Sequence, residues 1–301
     1  MTRKKTGILL LKKDSADSSN FALQKVKKLY QVKKAGHTGT LDVGATGVLP
    51  ICFGEATKVS QFLLDSKKRY VAEMVLGWSS NTGDSYGEIV KNGSSDMLQR
   101  SAILKVINLF KGRILQTPPM FSALKQDGIP LYKLARSGIE VERQPREIEI
   151  HKISVLEVKL PRLVIEVECS KGTYIRTLVE DIAHCLDCGA YMTSLCRIGV
   201  GDYDIKQAFS VEELERVKNK SDLVGLDRLL LPPESALQSM PSIKLSHFQY
   251  NELRFGRSTL NTQKKSVGWL KLYTPDNKFF AIGENLAKGE LVMRRMIITG
   301  K

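Results

Sequence analysis

The sequence predicts an α+β protein, one large domain followed by a small β-rich module, and three observations carry that reading. Segments alternating with a period of two are interleaved with amphipathic segments of helical period. A double proline closes an apolar run in "LLLPPESAL", which marks a boundary near residue 235. The stretch beyond it is mostly strand-like. The chain has 301 residues, 42% of them apolar, enough to bury a core in both units.

Taken in order, "TGILLLKK" (Thr6–Lys13) is a first strand buried on both faces. In "DSSNFALQKVKKLY", Ser18 or Ser19 caps a helix with Ala22, Val26 and Leu29 on one face and Lys25, Lys27 and Lys28 on the other. A glycine-rich loop follows, then a short strand, "GVLPICFG", and a helix in "EATKVSQFLLDSKK". Lys68–Ser80 is one strand, with Tyr70, Ala72, Met74, Leu76 and Trp78 on one face. The loop "SSNTGDSYGE" leads to a helix over "SSDMLQRSAILKVINLFKGR", started by serine and stopped by Gly112. Residues 114–147 form a long excursion, basic and rich in proline and glycine, with one short helix at "PLYKLARSG". Excursions of this kind carry function or move. Strands at Ile148–Val158 and Leu163–Cys169 come next, then a helix in "KGTYIRTLVEDIAHCLD" with Ile175, Val179 and Ile182 inward. Capping boxes run from Ser210 to Glu213 and from Ser246 to Gln249. The last strands are joined by a Pro-Asp-Asn turn.

Charge narrows the partner. Forty-six Lys and Arg against 32 Asp and Glu give a net charge of +14, spread along the chain, as expected of a protein that binds nucleic acid. No apolar stretch approaches a membrane span, and the run Ile8–Leu11 is too short for a signal-peptide core, so a cytoplasmic protein is expected. Five cysteines without a secretory signal imply reduced thiols. Cys185 and Cys188 make a lone C-x-x-C, with His184 and Cys196 nearby in sequence. Apolar positions continue through the pair at helical spacing, which favours helix thiols over a zinc site.

The chemistry concentrates in "AGHTGTLDVGATGVLPICFGEATK". Asp42 is its acidic centre, with no other carboxylate between Asp17 and Glu55. Gly36, Gly39, Gly44 and Gly47 allow a ligand to approach the backbone closely. By residue type alone, Asp42 is a turn or cap residue, Tyr70 packs in the core, Arg176 is a surface arginine and His37 a hydrogen-bonded loop histidine.

The motifs change that weighting. "GHTGTLD" with "ATGVLPICFGEATK" resembles the signature of the TruB pseudouridine synthases, which isomerise uridine 55 in the T loop of tRNA. "GILLLKK", "KRYVAEMVLG", "PPMFSALKQDGIPLYKLARSGIEVERQPREI" and "CSKGTYIRTLVEDI" resemble further motifs of that family, in the same order. The chain departs from the pattern at Lys12–Ala16, where Asp-Lys-Pro-x-Gly is usual and Lys13 alone is kept. It departs again at Val43, usually proline, and at Phe121, commonly tyrosine.

The resemblance implies a pseudouridine synthase fold: a mixed, largely antiparallel central sheet flanked by helices, and a β-rich, PUA-like RNA-binding module. It assigns residues 1–235 to the catalytic domain, with an RNA-gripping insertion at about 114–147, and 236–301 to the module. Asp42 would be the nucleophile, toward uracil C6 or ribose C1′. Arg176 would keep that buried carboxylate ionised and in place. Tyr70 would stack on the uracil and take or relay the C5 proton, and His37 would occupy the space left by a flipped base or contact it. Thr40, Lys13 and Tyr174 would complete the substrate site. Lys125, Arg136, Arg143 and Arg146 would grip the RNA, with Arg254, Arg257, Arg294 and Arg295 in the module. The partner is tRNA, through its T arm and T loop. No cofactor, metal, membrane or obligatory protein partner is implied, and a monomer suffices. Two rivals are a guide-dependent, dyskerin-like synthase and a non-catalytic RNA-binding or RNA-folding protein. The lysine-rich extensions of the first are not in this sequence, and the presence of both Asp42 and Arg176 weighs against the second.

Overall fold

The computed structural model describes residues 3–261 and 267–298. β1 (Gly7–Lys13) leads to α1 (Ser19–Tyr30), capped by Ser18, whose hydroxyl accepts from the Phe21 N–H at 3.1 Å. β2 (Ala35–His37) and β3 (Thr46–Phe53) bracket the glycine-rich loop. The single helix expected next is two pieces, a 3-10 turn at Gly54–Val59 and α2 (Ser60–Asp65). The expected strand Lys68–Ser80 is also two. Gly77, at φ 85°, ends β4 (Lys68–Leu76), and β5 (Trp78–Ser80) leaves to pair with β6 (Ile89–Lys91). Trp78 is therefore exposed rather than aligned with Ala72, Met74 and Leu76.

α3 (Arg100–Leu109) begins later than expected, because Ser94 closes a local turn by accepting from the Asp96 N–H. β7 (Gly112–Gln116) follows, then β8 (Lys125–Gln126), β9 (Ile129–Pro130) and α4 (Leu131–Arg136). β10 (Arg146–Lys159) and β11 (Arg162–Cys169) lead to α5 (Ile175–His184), β12 (Ala190–Val200), β13 (Tyr203–Asp204) and α6 (Val211–Asp227). α5 stops at His184, so Cys185 is exposed at its end and Cys188 buried in the turn beyond, not both within the helix. No group of three His, Cys, Asp or Glu among the described residues could hold a metal, and no described helix is long and apolar enough to cross a membrane.

The nine-stranded sheet runs β1-β3-β12-β4-β11-β10-β7, with β2 on β3 and β13 on β12. Every pair is antiparallel except β12 with β3, joined at Cys196–Thr46 and Arg197–Gly47. This is the mixed, largely antiparallel sheet expected. Both faces are covered. α3 and α5 pack Ile103, Ile107, Leu178, Val179 and Ile182 with Ala72, Met74, Ile165 and Val167. On β1, Leu9 and Leu11 face the cluster under α1 and α6, while Ile8 and Leu10 join Leu237, Phe279, Ile282 and Ile297.

β7 and β10 pair directly, Gln116 opposite Arg146. The strands absorb the ends of the basic excursion, so both its roots sit side by side at the sheet edge. Past the double proline come β14 (Ser242–Lys244), α7 (His247–Arg254), β15 (Thr259–Leu260), β16 (Gly268–Tyr273), β17 (Phe279–Asn285) and β18 (Glu290–Met296). These strands form a separate five-stranded sheet, β14-β16-β17-β18-β15.

Candidate active site

The loop between β2 and β3 ends in a tight turn. The Ala45 N–H donates to the Asp42 carbonyl at 3.1 Å, leaving Val43 and Gly44 at the tip. Two residues brace it from behind. Ser19, freed from capping by Ser18, accepts from the Leu41 N–H at 2.8 Å and donates to the Leu41 carbonyl at 2.9 Å. Lys13, 1% exposed, donates to the carbonyls of Asp14, Val43 and Ala45 at 2.7, 3.1 and 2.6 Å. Burial pushes its amine down to about 8. Lys13 thus supports the turn and does not face the cleft.

Arg176 approaches from the first turn of α5. Gln116 fixes this helix start: its side chain accepts from the Tyr174 N–H at 2.8 Å and donates to the Tyr174 carbonyl at 3.0 Å. The Arg176 Nε lies 3.1 Å from Asp42 Oδ2. One terminal nitrogen donates to the Thr82 carbonyl at 2.9 Å, the other to the Phe121 carbonyl at 2.7 Å. Asp84 Oδ2 stands 3.9 Å away. The burial is the reverse of that expected from sequence: the Arg176 side chain is 6% exposed and that of Asp42 51%. The buried guanidinium, held by the Thr82 and Phe121 carbonyls, thus fixes one oxygen of a carboxylate that is open to solvent.

Tyr70 on β4 stands opposite Arg197 on β12 in the strand pairing. Burial, the largest influence, raises the Tyr70 phenol above its ordinary value. Arg197 is 1% exposed and donates to the Val48 and Gly39 carbonyls at 2.9 and 3.1 Å, tying the turn-bearing loop to the parallel strand pair. Burial, and then the Arg197 charge, lower the pKa of His37. A cavity of about 110 Å³ brings together Thr40, Asp42, Tyr70, Tyr174 and Arg176, closed by Leu41, Thr173, Ile175 and Leu195.

The remaining candidates lie elsewhere. His37 is on β2, outside that wall, with its Nδ1 buried and unpartnered among the described residues. Lys125, Arg143 and Arg146 line a polar cavity of about 370 Å³ at the base of the excursion, and Arg136 lies over the Tyr132 ring. Arg257 pairs with Glu252, Arg294 with Glu284, and Arg295 donates to the Lys58 carbonyl. Sequence reasoning missed Asp84, Gln116 and Arg197. For Arg197 a signal existed: it shares the inward face of β12 with Leu195, where an unpaired arginine is not tolerated.

Three family descriptions match successive stretches of the chain. Residues 27–175 match "TruB family pseudouridylate synthase (N terminal domain)", 176–238 "tRNA pseudouridylate synthase B C-terminal domain", and 241–297 "Pseudouridine synthase II TruB, C-terminal". A protein of Haemophilus influenzae (strain PittEE) named tRNA pseudouridine synthase B is 44% identical over 97% of this chain and 95% of its own. Proteins of the same name from Coxiella burnetii (strain Dugway 5J108-111) and Pseudomonas putida (strain F1) are each 44% identical over 97% of this chain and 94% and 95% of theirs. Among solved structures, one described as "Crystal Structure of a Cbf5-Nop10-Gar1 Complex" shares the fold, with a TM-score of 0.76 at 24% identity over 97% of this chain and 85% of that one.

Proposed function

The chain belongs to the TruB family of pseudouridine synthases and forms pseudouridine in tRNA; from that premise we propose that its target is uridine 55 of the T loop, with Asp42 as nucleophile. The observation that carries the assignment is the exposed Asp42 carboxylate, held at 3.1 Å by the buried Arg176 in a cavity that Tyr70 also lines.

The isomerisation breaks the C1′–N1 bond, turns the uracil and joins C5 to C1′. The proton lost from C5 balances the one gained at N1, so no redox partner is needed. A base inside a folded T loop is out of reach, so it flips into the cavity at an unstacking cost of a few kcal/mol. Asp42 then attacks C6 or C1′, and the carboxylate is a competent nucleophile for either. Arg176 fixes the approach of its oxygen, since misplacement by about 1 Å alone costs about 100-fold in rate. Tyr70 offers a ring for the uracil to stack on, and its raised pKa keeps the phenol protonated, so it relays a proton rather than acting as a phenolate base. The basic excursion supplies phosphate contacts. We assign residues 1–235 to catalysis and 236–301 to an RNA-binding module, in a cytoplasmic monomer that needs neither guide RNA nor protein partner.

Unmodified tRNA tritiated at uridine C5 tests this directly. Purified protein alone should release tritium from the T loop, and Asp42→Ala should release none while still binding the tRNA. Absence of release from folded, tRNA-binding wild type would overturn the stand-alone reading.

A further inference from the structure

Tyr86 lies against the turn that begins with Asp42, yet 70% of it is exposed. Its ring rests directly on Gly44: a Cβ placed there would stand 2.4 Å from the ring's Cε2 and 2.8 Å from its hydroxyl oxygen. The absence of a side chain at 44 is what lets the ring approach the turn. The backbone beneath is fixed, because the Tyr86 N–H donates at 3.0 Å to Asp84 Oδ1, which also accepts from Thr82 Oγ1 at 2.6 Å. The other Asp84 oxygen faces Arg176 at 3.9 Å. The ring is thus tied to the same network that orients Asp42. Its hydroxyl has no hydrogen-bond partner among the described residues, and it belongs to none of the apolar clusters. Val43, beside it at the tip, is 52% exposed.

A held aromatic ring, open to solvent on the turn that begins with Asp42, is the arrangement that stacks unpaired bases. Tyr70 already serves the reacting uracil inside. We propose that Tyr86 is a stacking platform for a second, non-reacting base of the RNA loop, with Gly44 making room for the ring. This rests on the function proposed above, and deepens it by naming a residue that positions the substrate from outside the cavity.

The test uses a T-arm stem-loop RNA, with binding read apart from turnover. Tyr86→Leu should weaken binding and raise KM by about tenfold, while the single-turnover rate at saturating RNA stays within about threefold. Tyr86→Phe and Tyr86→Trp should stay within about twofold of wild type, because stacking needs a ring and not the hydroxyl. Gly44→Ala, which drives the ring off its seat, should weaken binding in wild type and add nothing to Tyr86→Leu. RNAs made abasic at one loop position at a time should reveal one position that weakens wild type by about tenfold and leaves Tyr86→Leu unchanged. Wild-type binding by Tyr86→Leu, failure of Tyr86→Phe, or the lack of any such abasic position would each overturn the proposal. Absence of tritium release would count against the proposed activity alone, because the binding results still decide on Tyr86.

Discussion

Arg176 and Asp42 meet at 3.1 Å, and it is the arginine of the pair that is buried. A guanidinium taken out of water needs partners for its nitrogens, and each of these three has one, in Asp42, Thr82 and Phe121 on three separate segments. Arg176→Lys keeps the charge but cannot serve three acceptors in a plane. The single-turnover rate should fall by about 100-fold, with tRNA affinity within about threefold of wild type, as measured by quench-flow and filter binding. Asp84→Asn, which removes a charge 3.9 Å away, should cost about tenfold, and less in the Arg176→Lys background. An Arg176→Lys enzyme of wild-type rate would refute the orienting role.

Gly47 sits where β3 meets β12 in the sheet's parallel pair, at φ 109°. A Cβ there would stand 2.2 Å from the Arg197 carbonyl oxygen and 2.6 Å from its nitrogen, and backbone atoms in a sheet cannot yield. Gly47→Ala should destabilise the fold by about 3 kcal/mol or more in urea unfolding. Gly36→Ala is the control: nothing lies within 4 Å of its Cβ position, so a change within about 0.5 kcal/mol is expected.

The contrast shows what the sequence could and could not reveal. Strands and helices were legible where burial repeats at a fixed period, as in Leu163–Cys169 and in α5. They were misjudged where one residue breaks the backbone, as Gly77 does, since a strand pattern continues across a kink. Asp42, Tyr70 and Arg176 were legible as a set only through their motifs; residue type alone left each an ordinary turn, core or surface residue. Which partner is buried was not legible, because burial of a charge depends on carbonyls from distant segments. Asp84 and Gln116 act through contacts spanning 92 and 58 positions, and no local pattern marks such pairs.

Gln116 links the root of the basic excursion to the helix that carries Arg176. Its amide satisfies both the N–H and the carbonyl of Tyr174, and the residue is 3% exposed. Gln116→Leu leaves the Tyr174 N–H without a partner and its carbonyl with the Leu178 N–H alone, so stability should drop by about 1–3 kcal/mol in thermal or urea unfolding. The helix start should shift with it, slowing single turnover even at saturating tRNA. Gln116→Glu keeps the acceptor for the Tyr174 N–H and should retain more of both than Gln116→Leu. Equal losses in the two variants would mean that volume, not hydrogen bonding, is what the site requires.

Lys13 makes the support of the turn that carries Asp42 sensitive to pH. Burial lowers its amine from 10.5 to about 8 in the folded protein. Between those values the unfolded chain holds a proton that the folded chain has released, so stability contributed by this group rises with pH through that window and is lost as pH falls through 8. Lys68, also lowered to about 8 by burial, does the same, but it is common to wild type and a Lys13 variant and cancels in their difference. Urea unfolding of wild type and Lys13→Met should therefore show a gap that is constant below pH 8 and widens in favour of wild type from pH 8 to 10. A neutral amine has two N–H groups for three carbonyls. The Val43 carbonyl, at 3.1 Å the farthest of the three, is the one released first, so slackening at high pH should begin at the tip of the turn. A gap that does not change with pH would mean that Lys13 titrates as an exposed lysine does, and that its ammonium is not confined beneath the turn.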